Sequence, residues 1–251
     1  MRRLLPDAGT TSAGEQVGEL ELVSMAGEGR PYVVSNFALT LDGRSTIDGR
    51  SGPIGSKRDT EMLVGLRARV DAILIGAGTM RAERYGRLIA DPHKRARRER
   101  IGLPHDPLLV IVTAGLELPW DAPVFTKPSG RVLIVTSSQD DVPEVAAPLR
   151  VLRRPGGVDL AELLAYLRRE RGVRALLCEG GAKLHAELIE ADLVDELFVT
   201  IAPKLGGGDG PGLVAELEAR QRLLELVWLL ESDGELFARY RLLRHPKITV
   251  Q

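Results

Sequence analysis

Twice in this chain a short, wholly apolar run ends in glycine and passes directly into a helical stretch. The first is Asp71-Ala72-Ile73-Leu74-Ile75-Gly76, followed by Ala77-Gly78-Thr79. The second is Leu176-Leu177-Cys178-Glu179-Gly180-Gly181, followed by Ala182-Lys183-Leu184. An apolar run without alternation needs cover on both faces, which is the situation of a parallel strand between helical layers. Glycine directly after such a strand lets backbone approach a ligand closely. A helix or turn opening there, from Thr79 in the first case, aims free N–H groups at an anion. Two such turns in one sheet put two amide clusters at strand carboxyl ends, where open α/β sheets bind ligands. Together they suggest a dinucleotide, although neither matches a Rossmann or P-loop motif and either is explained equally well as a tight turn.

The rest of the chain agrees with an α/β plan. Residues 32–39, 108–113, 132–136, 173–177 and 193–202 read as buried strands. Residues 57–69, 160–169 and 181–191 have helical spacing, with Ser56 as the N-cap of the first. Residues 223–230 and 236–243 read as two strands joined at Asp233-Gly234, a dipeptide suited to a tight hairpin. Alternating strands and helices predict a mainly parallel mixed sheet in three αβα layers, with a C-terminal antiparallel hairpin. Residues 1–30 show little periodicity and read as a poorly ordered arm, with a docking segment at 20–25; residues 31–251 read as a single domain. The basic run at 93–100 reads as a solvated loop or short surface helix.

Formal net charge is −1 and aromatic residues are 4% of the chain, so a nucleic-acid-binding role resting on that basic run has little support. The only cysteine, Cys178, excludes an internal disulfide framework and a cysteine-rich zinc site, and fits a reducing cytoplasm. His93, His105, His185 and His245 form no metal-spaced pair, so no metal is expected. No apolar run is long enough to span a membrane, and the N-terminus lacks the apolar core of a signal peptide.

Three further residues carry chemical meaning. Asn36 lies on a strand face with Ala38 and Thr40, and is either a structural hydrogen-bonder or a ligand contact. Asp42-Gly43 is a turn or part of a site. Glu179 closes the second strand; there a carboxylate would repel phosphate, so it is either a surface group or an acceptor for a substrate ring or sugar. Strand-end logic also brings Ser137, after the strand at 132–136, within reach of a cofactor's 2′-phosphate.

The order Asn36-Phe37-x-x-Thr40-Leu41-Asp42-Gly43-Arg44, Leu66-Arg67, Asp71 to Thr79, Glu179-Gly180-Gly181 and Ala202-Pro203-Lys204-Leu205-Gly206-Gly207 resembles the riboflavin-biosynthesis pyrimidine reductases. These include the reductase domain of the bifunctional deaminase/reductase and its stand-alone relatives, and the likeness covers residues 31–243. The resemblance implies a dihydrofolate-reductase-like fold, a homodimer, and reduction of 5-amino-6-(5-phosphoribosylamino)uracil by NADPH, with hydride passing to ribose C1′. It implies that Ala38, Thr79, Glu83 and the turn Gly181-Ala182-Lys183-Leu184 hold NADPH, joined by Gly76, Gly78 and Gly180 as close-approach glycines. It implies that Ser51, Arg67 and Glu179 hold the substrate, with Ser51 and Arg67 near its phosphate. Asp42 and Glu179 become candidates to orient substrate or relay a proton. The deaminase's H-x-E and P-C-x-x-C zinc signature is absent. Ala82-Glu83-Arg84-Tyr85-Gly86 replaces the common Ala-Asp-Asp-Pro, the mark of a stand-alone subgroup. The alternatives are a related reductase of a pterin or folate and a non-catalytic NADP-binding protein. The apolar stretches at 193–202 and 223–230 exceed what a lone sheet edge should expose, a second argument for a dimer.

Overall fold

A computed structural model of the chain describes residues 1–214 and 221–243. They form one 11-stranded sheet in the order β2-β1-β10-β11-β9-β3-β8-β4-β5-β6-β7. The parallel part contains β3 (Tyr32–Thr40), β4 (Ala72–Gly76), β5 (Leu108–Thr113), β6 (Arg131–Thr136), β7 (Leu149–Arg153), β8 (Ala175–Cys178) and β9 (Glu196–Ala202). The antiparallel part is β1 (Arg2–Leu5), β2 (Gly9–Thr10), β10 (Leu224–Ser232) and β11 (Glu235–Leu242). At the hairpin tip Asp233 and Gly234 both take positive φ, +55° and +80°, as a two-residue turn between twisted strands requires.

Helices cover both faces. On one face lie α1 (Ala13–Gly18), α2 (Lys57–Arg67), α3 (Ala77–Glu83) and α5 (Pro123–Thr126), which bury Val17, Met62, Leu66, Met80 and Phe125 against Ile73, Ile75, Ile111 and Ile134. On the other, α6 (Leu160–Arg171) and α7 (Ala182–Glu190) bury Leu164, Leu167 and Leu188 against Leu74, Val110, Leu133 and Leu176. The central strands alternate between these two cores, which is why their sequences are apolar at every position. Ser56 caps α2 by accepting from the amides of Arg58 and Asp59.

Several expectations change. Residues 1–30 are built into the fold. β1 pairs with β10, and Ser12 and Glu15 form a capping box that starts α1, whose Val17 packs where Gly65 of α2 leaves room. The basic run forms α4 (Pro92–Arg100), and within it Arg98 is fully buried, donating to the carbonyls of Pro104, Arg67 and Val70. One side chain of that run is therefore an internal strut between loops. The first glycine turn opens its helix at Ala77, two residues before Thr79. The stretch at 193–202 lies inside the sheet, where β9 sits between β11 and β3, so its apolar length reflects burial and no longer argues for a dimer.

The chain order positions the site. From β3 it crosses to β4, leaving a gap one strand wide, and runs outward through β5, β6 and β7. It then returns to insert β8 into that gap before β9 pairs on the far side of β3. Turns a hundred residues apart in sequence thus end up side by side.

Candidate active site

A cleft of about 560 Å³ opens at the carboxyl ends of β3, β4 and β8. Its floor is Asn36 and Ala38 of β3, and its sides are the two glycine turns and the face of α2 bearing Asp59, Leu63 and Arg67. The turns touch. The amide of Gly76 donates to the carbonyl of Gly180 at 2.9 Å, and the amide of Glu179 donates to the carbonyl of Leu74 at 3.1 Å. A Cβ on Gly180 would lie 3.1 Å from the Thr79 hydroxyl oxygen, and Gly180 has a φ of +130°. The first residues of α3 and α7 receive no side-chain cap, so their amides are free to bind an anion.

At the deep end Glu179 is 3% exposed and accepts both Nε and an Nη of Arg67, each at 2.7 Å, and the Tyr85 hydroxyl at 2.9 Å. The other Arg67 Nη donates to the Leu88 carbonyl at 3.0 Å. Burial alone would lower the pKa of the guanidinium, but the Glu179 charge more than offsets this and holds it more firmly protonated than usual. Burial and the same charge push the Tyr85 phenol well above its ordinary range, so it acts as a donor.

Asp59 on α2 is different. Its Oδ1 accepts the Thr200 hydroxyl at 2.7 Å, and Thr200 sits beside Ala38 in the β3–β9 register. Burial raises its pKa to about 6; the Thr200 bond works against this and the charge of Glu235 reinforces it. Burial drives His185, stacked on Phe37 at 3.8 Å, down to about 3 and Cys178 up to about 12. Asp59 is therefore a lining group that changes charge near physiological pH.

Comparison with known proteins adds the family. The profile of the RibD C-terminal domain matches residues 31–236. The chain belongs to that family. It is 34% identical over 188 residues to the 2,5-diamino-6-ribosylamino-4(3H)-pyrimidinone 5′-phosphate reductase of Archaeoglobus fulgidus, covering 72% of this chain and 85% of the relative. It is 31% identical over 222 residues to the protein of the same name from Methanothermobacter thermautotrophicus, covering 81% and 95%. The crystal structure of a pyrimidine reductase-like protein from Corynebacterium diphtheriae superposes with a TM-score of 0.78 at 23% identity, covering 94% of this chain and all of that one. At that identity the superposition shows the fold.

Within this RibD C-terminal domain the expected residues divide. Asn36, Ala38, Ser51, Arg67, Gly78, Thr79, Glu83, Glu179, Gly180, Gly181 and Ala182 all line the cleft. Gly76 stands just behind it, Lys183 is exposed and Leu184 is core. Arg67 and Glu179, expected to contact substrate separately, bind one another. Ser51, expected at the phosphate, donates to Glu83 at 2.7 Å and so latches the loop after β3 to the end of α3. Asp42 lies outside the lining. It accepts the amides of Gly206 and Gly207, each at 2.8 Å, and these bonds with Thr40 hold its carboxyl well below the usual range. Ser137 stands at the end of β6, outside the lining, and donates to the Ala114 carbonyl at 3.1 Å. Sequence reasoning missed Asp59, Tyr85 and Thr200. The available signal was α2's spacing, since 59, 63 and 67 fall on one face. Gly180→Ala is expected to cost about 1–3 kcal/mol, because its φ disfavours a side chain and its Cβ would press on Thr79. Thermal denaturation should register the loss.

Proposed function

We propose that this chain is an NADPH-dependent reductase of a phosphoribosylamino-pyrimidine in riboflavin biosynthesis. The observation that carries the reading is the pair of touching glycine turns, with uncapped helix starts, opposite a carboxyl that titrates near neutrality. The residues fit the cofactor: the free amides of α3 and α7 suit a pyrophosphate, and glycines at Gly76, Gly78, Gly180 and Gly181 leave room for its approach. NADPH, when bound, supplies the hydride.

The chain's own residues do the rest. Thr79, Glu83, Ala182 and Lys183 bound the cofactor side, and Ser137 lies toward the far end of an extended dinucleotide. Asn36 and Ser51 face the substrate. The Arg67–Glu179–Tyr85 cluster fixes the shape of the deep wall. Reduction at ribose C1′ of the ring-opened imine needs a proton at the adjoining nitrogen, and Asp59 is the group we assign to hold it. Asp42 acts at a distance by tying the loop after β3 to Gly206 and Gly207.

Two pyrimidines compete as substrate. The archaeal relatives are named for the 2,5-diamino-pyrimidinone, whereas the sequence resemblance pointed to the deaminated uracil. They differ by a ring amino group against a carbonyl. Because the two archaeal relatives are 34% and 31% identical, the diamino compound is the first choice.

The test is the loss of NADPH absorbance with each pyrimidine, with NADH and dihydrofolate as controls. Turnover of either phosphoribosyl pyrimidine with NADPH supports the reading and ranks the substrates. Tight NADPH binding without turnover on any of them would sink it in favour of a binding protein. We also propose a cytoplasmic location and a homodimer. No helix among the described residues is long and apolar enough to cross a membrane. Leu4, Leu5, Leu223 and Leu224 leave apolar surface exposed around β1 and β10. A monomer by sedimentation at micromolar concentration would remove the dimer.

A further inference from the structure

The first turn of α2 is a thin wall between two clefts. On the inner side stands Asp59, lining the candidate active site. On the outer side a second cleft of about 370 Å³ is bounded by Ser56, Lys57, Arg58, Lys204, Asp233 and Glu235. Glu235 opens β11 just after the hairpin turn and is only 4% exposed. One hydroxyl joins the two acids: Ser56 Oγ donates to the Glu235 carboxylate and accepts the Asp59 amide at 3.3 Å. Glu235 forms no ion pair among the described residues. Of the cations around the outer cleft, Lys204 Nζ is committed to the carbonyls of Pro53 and Ile54, each at 2.8 Å, and Arg58 pairs with Glu61.

We infer that Glu235 is a positioning residue for the reaction: held by Ser56 against the turn that carries Asp59, its carboxylate reinforces burial in keeping Asp59 in the proton-bearing form on the cleft side, and the Thr200 hydroxyl opposes both. Two carboxyls backed onto one helical turn cannot both ionise without cost. Glu235 borders the outer cleft. Asp59 borders the inner cleft, where an acid is needed. Thr200 donates to Asp59 and so favours its charged form, which makes the arrangement adjustable from both sides. The other charged groups around Asp59 are Lys57 and Arg58 on its own turn, Lys204 after β9 and Asp233 at the hairpin. Around the inner cleft are the neutral His185, Glu83, Arg87 and, two turns further along α2, Arg67 with its partner Glu179.

This inference rests on Asp59 being the acid of the proposed reduction, so its test has a readout free of substrate. The Asp59 carboxyl is followed by NMR of protein labelled at aspartate side-chain carbon, its signal assigned by its disappearance in Asp59→Asn. Glu235→Gln should move the Asp59 titration to lower pH and Thr200→Val to higher pH, each by about half a unit or more. The alkaline fall of kcat should move with it in both variants, while KM stays put. Unchanged titration in folded Glu235→Gln, or shifts of the same sign in both variants, would overturn the inference. Should Glu235→Gln fail to fold, Ser56→Ala, which releases the Glu235 carboxylate from its hold, takes its place: an Asp59 titration moved to lower pH supports the inference, and an unmoved one overturns it. If the carboxyl titrations shift as expected but kcat shows no corresponding limb, the coupling is real and the assignment of Asp59 as the acid is what fails.

Discussion

Replacing Arg67 by alanine is expected to destabilise the protein by about 3–5 kcal/mol, because it leaves the Glu179 carboxylate buried without its counter-charge. The magnitude follows from burial. Glu179 is 3% exposed and receives two of its three side-chain bonds from this one guanidinium. The same substitution removes the tie to the Leu88 carbonyl and the cation that lies 5.5 Å from the Tyr85 ring centre. Denaturant unfolding checks the stability. A double-mutant cycle checks the cause: Arg67→Ala with Glu179→Gln should lose clearly less than the sum of the single losses, since the glutamine has no charge to strand. Additive losses would show that Arg67 serves through its carbonyl contact alone, and would free it for the substrate's phosphate.

Asp59→Asn should do the reverse, weakening the reaction while strengthening the fold. Loss of a positioned acid is worth about 10²–10⁴ in kcat. The stability effect follows from linkage. The Asp59 carboxyl titrates at about 6 in the folded protein, against 3.8 ordinarily, so its raised pKa makes ionisation oppose folding. The wild-type protein is unaffected below about pH 3, where the group is protonated in both states, and loses stability as pH rises through 3.8 toward about 6. The asparagine variant carries no such loss, so at pH 8 it should be about 3 kcal/mol more stable, with the gain fading toward about pH 3. Paired melts at the two ends of that range, with kcat measured at neutrality, test both halves. A variant that is less stable at high pH would mean that the Thr200 bond outweighs the cost of burial.

The fold was legible where a residue's surroundings are dictated by its neighbours in sequence. Ile73-Leu74-Ile75 and Leu133-Ile134-Val135 have no polar face to offer water, so both faces had to be covered, and they are. Asp233-Gly234 announced its turn because few other pairs accept positive φ twice running. The glycine turns were legible for the same local reason. What stayed hidden depends on partners far along the chain. Residues 2–5 gain a strand only because β10 lies 229 residues away to pair with them. Arg98 looks like any other basic residue of α4 until three carbonyls from two loops enclose it. Arg67 and Glu179 were both placed at the site, yet their mutual pairing is a long-range fact that changes what each can do. Asp59 was invisible because a carboxylate early in a helix is ordinary, and what makes this one unusual is its burial in the folded protein, with Thr200 and Glu235 brought beside it from two later strands.

The late insertion of β8 has a consequence for the life of the nascent polypeptide. A ribosome that has released everything up to residue 171 has made β3 and β4 but nothing to join them, so each presents an unsatisfied hydrogen-bonding edge to its surroundings. Such edges recruit foreign strands, and the long separation in sequence makes their proper closure slow. Both glycine turns come into register only when residues 175–182 arrive. On the proposed function, affinity for the dinucleotide is therefore acquired in a single late event, and the ligand can select finished molecules from a population still being assembled.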